Sequence, residues 1–143
     1  MGFLGQSASP QRAERALDVL RVTVALLILI HGLFRLVAGG VAPFGVWLES
    51  QGFPMGFGWA LAVTLFELTG PILMLIRRWT SFAALGHAAI LTLGMLLVHR
   101  PFGWFVVGAG RNGMEYSVIL IVSLLSIAWA YWPPRGAVPK QER

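Results

Sequence analysis

Apolar and polar positions alternate along this chain in long blocks, not with the short period of an amphipathic helix. Apolar stretches cover 17–37, 57–76, 79–98 and 113–132. Each is close to the about 20 residues that a helix rising 1.5 Å per residue needs to cross hydrocarbon. Pro133 and Pro134 stop the last stretch, because proline has no amide donor and clashes with the preceding turn. The pattern predicts an all-α polytopic membrane protein, a four-transmembrane-helix bundle with short interfacial loop segments. The expected organisation is a cytoplasmic N-terminal segment at 1–16, the membrane domain at 17–132 and a cytoplasmic tail at 133–143.

Two of the breaks are not simply polar. The segment 43–57 is rich in aromatics and carries one charge, Glu49; it predicts a short helix lying in the outer interface. The segment 101–112 sets Phe102, Trp104 and Phe105 among glycines and has the same interfacial character. Both read as anchors, or alternatively as a lid over a cavity. Trp79, Trp104, Trp129, Tyr131 and Trp132 fall near the ends of the stretches, where amphipathic rings are favoured.

Composition narrows the function classes. Hydrophobic residues make up 57% of the chain and charged residues 12%, about half the share of a soluble domain. This excludes a disordered chain, an ordinary cytosolic enzyme and a soluble nucleic-acid binder. The net charge of +5 comes from basic residues at the ends of apolar runs. Arg12, Arg15 and Arg21 precede or open the first stretch, Arg77 and Arg78 separate the second from the third, and Arg135, Lys140 and Arg143 follow the fourth. The other side has Arg100 and Arg111, with Arg35 near the end of the first span. The positive-inside rule then places both termini in the cytoplasm. A cleaved signal peptide is the rival reading of the first stretch, and His31 and Arg35 argue against it. There is no cysteine, so thiolate metal sites, thiolate iron–sulfur clusters and dithiol chemistry are excluded. Redox work would need a quinone, flavin or haem.

Ionisable residues inside the spans carry the most information, because a mid-bilayer charge is costly and turns inward to a partner or a cavity. Counting about 1.5 Å per residue from the cytoplasmic end of each stretch gives two levels. Glu67 and His87 share a middle level near 13 Å, while Arg35 at roughly 27 Å and Glu115 at roughly 25 Å form an outer level, with His31 between them. The expected contacts are Glu67 with His87, or a Glu67 that keeps its proton, and Arg35 with Glu115. His31 and Arg35, four apart, share a helix face. Glu67 and His87 are the candidate catalytic groups. His31, Arg35, Glu67, His87, Glu115 and Tyr116 are the candidate ligand-binding set. The alternative is that these pairs only tie helices together. Pro71 removes the amide that would bond the carbonyl of Glu67, so a bend is expected there, beside Gly70. The third stretch is rich in small residues, Ala83, Ala84, Gly86, Ala88, Ala89 and Gly94, which suit close helix packing or leave room for a flat ligand beside His87. Haem between His31 and His87 is disfavoured by their unequal depths. No metal site, phosphate loop, nucleophile elbow or zinc-protease motif is read from the chain.

Five short motifs together resemble the DoxX family of small four-span bacterial membrane proteins. They are His31-Gly32-Leu33-Phe34-Arg35, Phe66-Glu67-Leu68-Thr69-Gly70, Arg77-Arg78, Gly103-Trp104-Phe105 and Gly113-Met114-Glu115-Tyr116. The resemblance implies a four-helix bundle in the bacterial inner membrane, with some relatives linked to thiosulfate:quinone oxidoreduction or to redox-stress assemblies. Arg35 stands where the family often has lysine, and the ending Pro133-Pro134-Arg135 also departs from its pattern. The reading that follows is a redox-associated subunit binding a quinone-like or other apolar ligand in an intramembrane polar pocket. The alternatives are a non-enzymatic scaffold that recruits a soluble redox enzyme, and a carrier or isomerase for a lipid-like molecule. Expected partners are the lipid bilayer, an apolar small molecule and a redox protein, with no nucleic acid. The oligomeric state is left open.

Overall fold

The computed structural model describes residues 9–108 and 111–133. The tail with Arg135, Lys140 and Arg143 lies outside the described residues. Five α-helices follow one another: α1 (Pro10–Val37), α2 (Val41–Ser50), α3 (Gly56–Leu75), α4 (Thr80–Gly94) and α5 (Glu115–Ala130). No strand occurs among the described residues. Helix α4 runs on through a π-helical turn at Met95–His99 and a 3-10 turn at Arg100–Phe102.

Three helical segments are long and apolar enough to span a membrane: Pro10–Val37, Gly56–Leu75 and Thr80–Phe102. Helix α5 is apolar and shorter, 16 residues. The span boundaries expected from hydropathy agree with the helices to within a few residues, except at the start of α1. That helix begins seven residues earlier, where Pro10 occupies its first turn and the Ser9 side chain accepts from the Arg12 amide. A proline at this position costs no helical hydrogen bond, and a serine cap satisfies an orphan donor.

Packing runs α1 against α3, α3 against α4, α4 against α5, and α5 back against α1. This closes a four-helix ring. Its core is Val24, Ala25, Ile28, Met74, Ala83, Ala84, Ala88, Leu124, Ile127 and Ala128. Alanines dominate on α4, as expected where close backbone approach, not expulsion of water, drives association. The outside is strongly apolar: Leu27, Ile30, Phe34 and Val37 on α1 and Trp129 on α5 are exposed, the last by 84%. Arg21, Thr64, Glu67, Thr80, Ser81 and His87 are buried. A distribution of this kind, polar inward and apolar outward, is stable only with hydrocarbon around it.

Helices α1, α2 and α3 all end in the same hydrogen-bond pattern. Gly39, Gly52 and Arg77 adopt left-handed conformations just past the caps. The following amides return to the third-last helical carbonyls: Gly40 to Arg35, Phe53 to Leu48 and Arg78 to Leu73. These are Schellman motifs. Two use glycine; the third uses Arg77 and carries the strain of a side chain in that region. Helix α2 packs on α3. Gly45 meets the backbone of Gly56 and Phe57, where a Cβ would stand 2.7 Å from the Phe57 Cα, and the Glu49 carboxylate accepts from the Gly56 amide at 3.1 Å. The helix predicted in segment 43–57 therefore exists, and it is fastened over the start of α3.

Candidate functional site

Arg35, in the last turn of α1, turns toward α3. Its Nη1 donates to Oε2 of Glu67 at 2.6 Å and its Nη2 to Oε1 at 3.4 Å. This two-pronged match is the geometry in which guanidinium and carboxylate interact most strongly. Nη1 also reaches the Thr64 hydroxyl at 3.4 Å, and that hydroxyl donates to the Ala60 carbonyl one turn earlier. Thr64 and Glu67 are three apart and share a face of α3. The ring of Phe44, on α2, covers the guanidinium at 4.6 Å from its centroid, a cation–π distance. Glu67 is 5% exposed.

The close approach of α1 and α3 depends on Gly32. A Cβ there would stand 2.8 Å from the Glu67 Cβ and 3.3 Å from its carbonyl carbon. The same carbonyl lacks its helical donor because residue 71 is proline. Helix α3 nevertheless continues unbroken past Pro71.

His31 sits one turn before Arg35, on the outer surface of the bundle. Its Nε2 lies 2.8 Å from Arg35 Nη2. A guanidinium can only donate, so Nε2 accepts and the imidazole proton resides on Nδ1. The site thus runs from a buried carboxylate, through a half-buried guanidinium, to an imidazole at the lipid-facing edge.

Two expected contacts are not formed. Glu67 bonds Arg35 instead of His87, and Arg35 bonds Glu67 instead of Glu115. The apolar run of α1 opens at Leu17, yet Asp18 and Arg21 lie level with the end of α3: Arg21 Nη1 donates to the carbonyls of Met74 and, at 3.2 Å, Leu75. The interface on α1 is therefore about one turn further along than hydropathy implied. That shift, with the length of an arginine side chain, merges the two levels into one.

His87 is 1% exposed and belongs to the other side of α3. Its ring lies 4.6 Å from that of Phe66. A Cβ on Gly70 would stand 2.5 Å from its Nε2, and a Cβ on Gly86 would stand 2.5 Å from the Phe66 ring. Each helix thus offers a glycine notch to an aromatic side chain of the other. The Nε2 of His87 has no hydrogen-bond partner among the described residues. Glu115 accepts from the Val106 amide at 3.0 Å, its own amide donates to the Trp104 carbonyl, and Tyr116 is exposed. Glu115 thus ties the start of α5 to the 104–106 segment.

A second ionic cluster was not anticipated. Asp18 accepts from Arg21, Arg77 and the Tyr131 hydroxyl, the last at 2.5 Å, and Arg21 Nε lies 3.1 Å from the same hydroxyl. The cluster joins α1, the α3–α4 turn and the end of α5. The available signal was the Asp18–Arg21 spacing of three at the start of an apolar run, with Arg77 facing it across the bundle.

The DoxX family profile matches residues 16–100, more than half of the chain. The chain belongs to the DoxX family. The match takes in α1 to α4, and with them Arg35, Glu67, His31 and His87; it ends before α5, Glu115 and Tyr116. No curated protein and no solved structure matches this DoxX chain.

Proposed function

We propose that this DoxX protein binds the polar head of an apolar, quinone-like molecule at the edge formed by His31 and Arg35, as a redox-associated subunit of the bacterial inner membrane. The observation that carries this reading is the His31–Arg35–Glu67 relay, which has a buried carboxylate and a half-buried guanidinium inside and an imidazole exposed at the lipid surface. Nδ1–H of His31 is free to donate to a ligand carbonyl arriving laterally from the bilayer. Arg35 fixes the tautomer, and Glu67, with Phe44 above, fixes Arg35. A quinone would supply the electron chemistry; the chain would bind its head and offer it a proton-bearing imidazole. The basic residues support an orientation with both termini in the cytoplasm. Arg12, Arg15, Arg77 and Arg78 gather at one end of the bundle, and the guanidinium nearest the middle is neutralised by a carboxylate.

The test is quinone binding by the purified full chain in lipid nanodiscs, measured with a short-tailed ubiquinone or menaquinone analogue. Saturable binding by the wild type, lost in His31→Ala without a change in thermal stability, is the expected result. No binding by the wild type, or equal binding by His31→Ala, overturns the reading. A scaffold role would then account for the same ion pair as helix-to-helix glue, and crosslinking in membranes would yield a constant protein partner.

A further inference from the structure

At the opposite end of the bundle a cavity of about 110 Å³ lies between the start of α4 and the end of α5, lined among others by Arg77, Thr80, Ser81 and Tyr131. Thr80 and Ser81 are 4% and 2% exposed, and neither hydroxyl has a hydrogen-bond partner among the described residues. A buried orphan hydroxyl costs free energy, and two adjacent ones beside a cavity point to an acceptor that belongs there.

The start of α4 strengthens this. Trp79, its cap residue, is left-handed and provides no side-chain hydrogen bond. First-turn amides of a helix have no intrahelical acceptor and carry the positive end of its dipole. The local charge has the same sign. Asp18 is paired with Arg21 and Arg77, so one carboxylate meets two guanidiniums, and Arg78 adds a further positive charge to the turn. The rim is aromatic: Phe82 lies 5.8 Å from Trp79 and 5.7 Å from Trp132, centroid to centroid. Such rings mark the headgroup level of a bilayer, and basic pockets between helices at that level suit anionic headgroups.

We propose that this cavity binds a phosphate group, held by the Thr80 and Ser81 hydroxyls, the first-turn amides of α4 and Arg77. Two sources present that chemistry, an anionic phospholipid headgroup and free phosphate. The inference does not depend on the quinone reading, since the two sites lie at different ends of α3.

The test follows thermal unfolding of the full chain, delipidated in detergent, with inorganic phosphate, dioctanoyl-phosphatidylglycerol or dioctanoylglycerol added. A bound ligand raises the melting temperature by mass action. Phosphatidylglycerol is expected to raise it and dioctanoylglycerol to leave it unchanged. A rise with inorganic phosphate as well assigns the site to phosphate from either source; a rise with phosphatidylglycerol alone assigns it to the lipid. The double variant Thr80→Val, Ser81→Ala removes only unpartnered hydroxyls, so it folds at least as well as the wild type. Its affinity for phosphatidylglycerol is expected to fall about tenfold or more. No shift with either phosphate compound, an equal shift with dioctanoylglycerol, or undiminished affinity in the double variant overturns the proposal.

Discussion

The two ionic clusters of this DoxX protein use the same chemical groups to opposite ends. At the Arg77 end, Asp18 is shared among Arg21, Arg77 and Tyr131, so α1, the α3–α4 turn and α5 hold a single carboxylate in common. Arg21 also takes up two carbonyls at the end of α3. Removing any one of the three donors leaves Asp18 with the other two. Around Arg35 there is no such redundancy. One guanidinium meets one carboxylate, with only a long contact to Thr64 and the Phe44 ring beside it, and its remaining hydrogen-bond partner, His31, looks out toward lipid. A cluster with many mutual bonds builds a joint; a pair with one bond left over builds a place where something else can attach.

The contrast is broken most severely by removing one charge of the sparse pair. Glu67→Ala leaves the half-buried Arg35 without its anion, and a loss of about 3 kcal/mol is expected, read as a sharp fall in folded yield and melting temperature. Arg35→Met with Glu67→Leu should recover most of it, because a buried ion pair and well-packed apolar residues are often nearly equivalent. If the double variant were as unstable as Glu67→Ala, the loss would not arise from the stranded charge.

Arg21→Met comes next. Hydrogen bonds to a charged group contribute about 1.5–3 kcal/mol, but Asp18 keeps Arg77 and Tyr131, so a loss of about 2 kcal/mol is expected in denaturant unfolding. Gly32→Ala should cost about 1–3 kcal/mol by forcing α1 away from Glu67, and should weaken any ligand held at His31. Tyr131→Phe deletes one hydroxyl from the shared carboxylate, with a loss of about 1 kcal/mol. The smallest effect is expected for Arg77→Gly. Relief of about 1 kcal/mol of left-handed strain roughly offsets a half-exposed ion pair of about 0–1 kcal/mol. A large loss there would make Arg77 the keystone of the joint.

Most of the helical architecture was legible in hydropathy, because a span must be long, apolar and internally hydrogen-bonded whatever its neighbours are. The short helix after α1 was legible too, from its aromatics around a single Glu49. Arg35, Glu67 and His31 stood out for the same reason: charge is expensive at that depth. Their pairing was not legible. It depends on the relative height of α1 and α3, and the apolar run opening at Leu17 concealed Asp18 and Arg21 just inside it. Those two residues, and not the first leucine, mark the level at which α3 ends. His87 was mispaired for a related reason. Its depth matched that of Glu67, but it meets α3 on the Phe66–Gly70 side, and depth carries no information about which way around a helix a side chain looks.

The glycine notches have a mechanical consequence. Phe66 seated at Gly86, His87 seated at Gly70 and Glu67 seated at Gly32 act as keys in slots cut across the helix axes. Telescoping α3 by one turn, about 5.4 Å, would drive every key into a wall. Helices coupled in this way can pivot about their contact points far more readily than they can slide along one another.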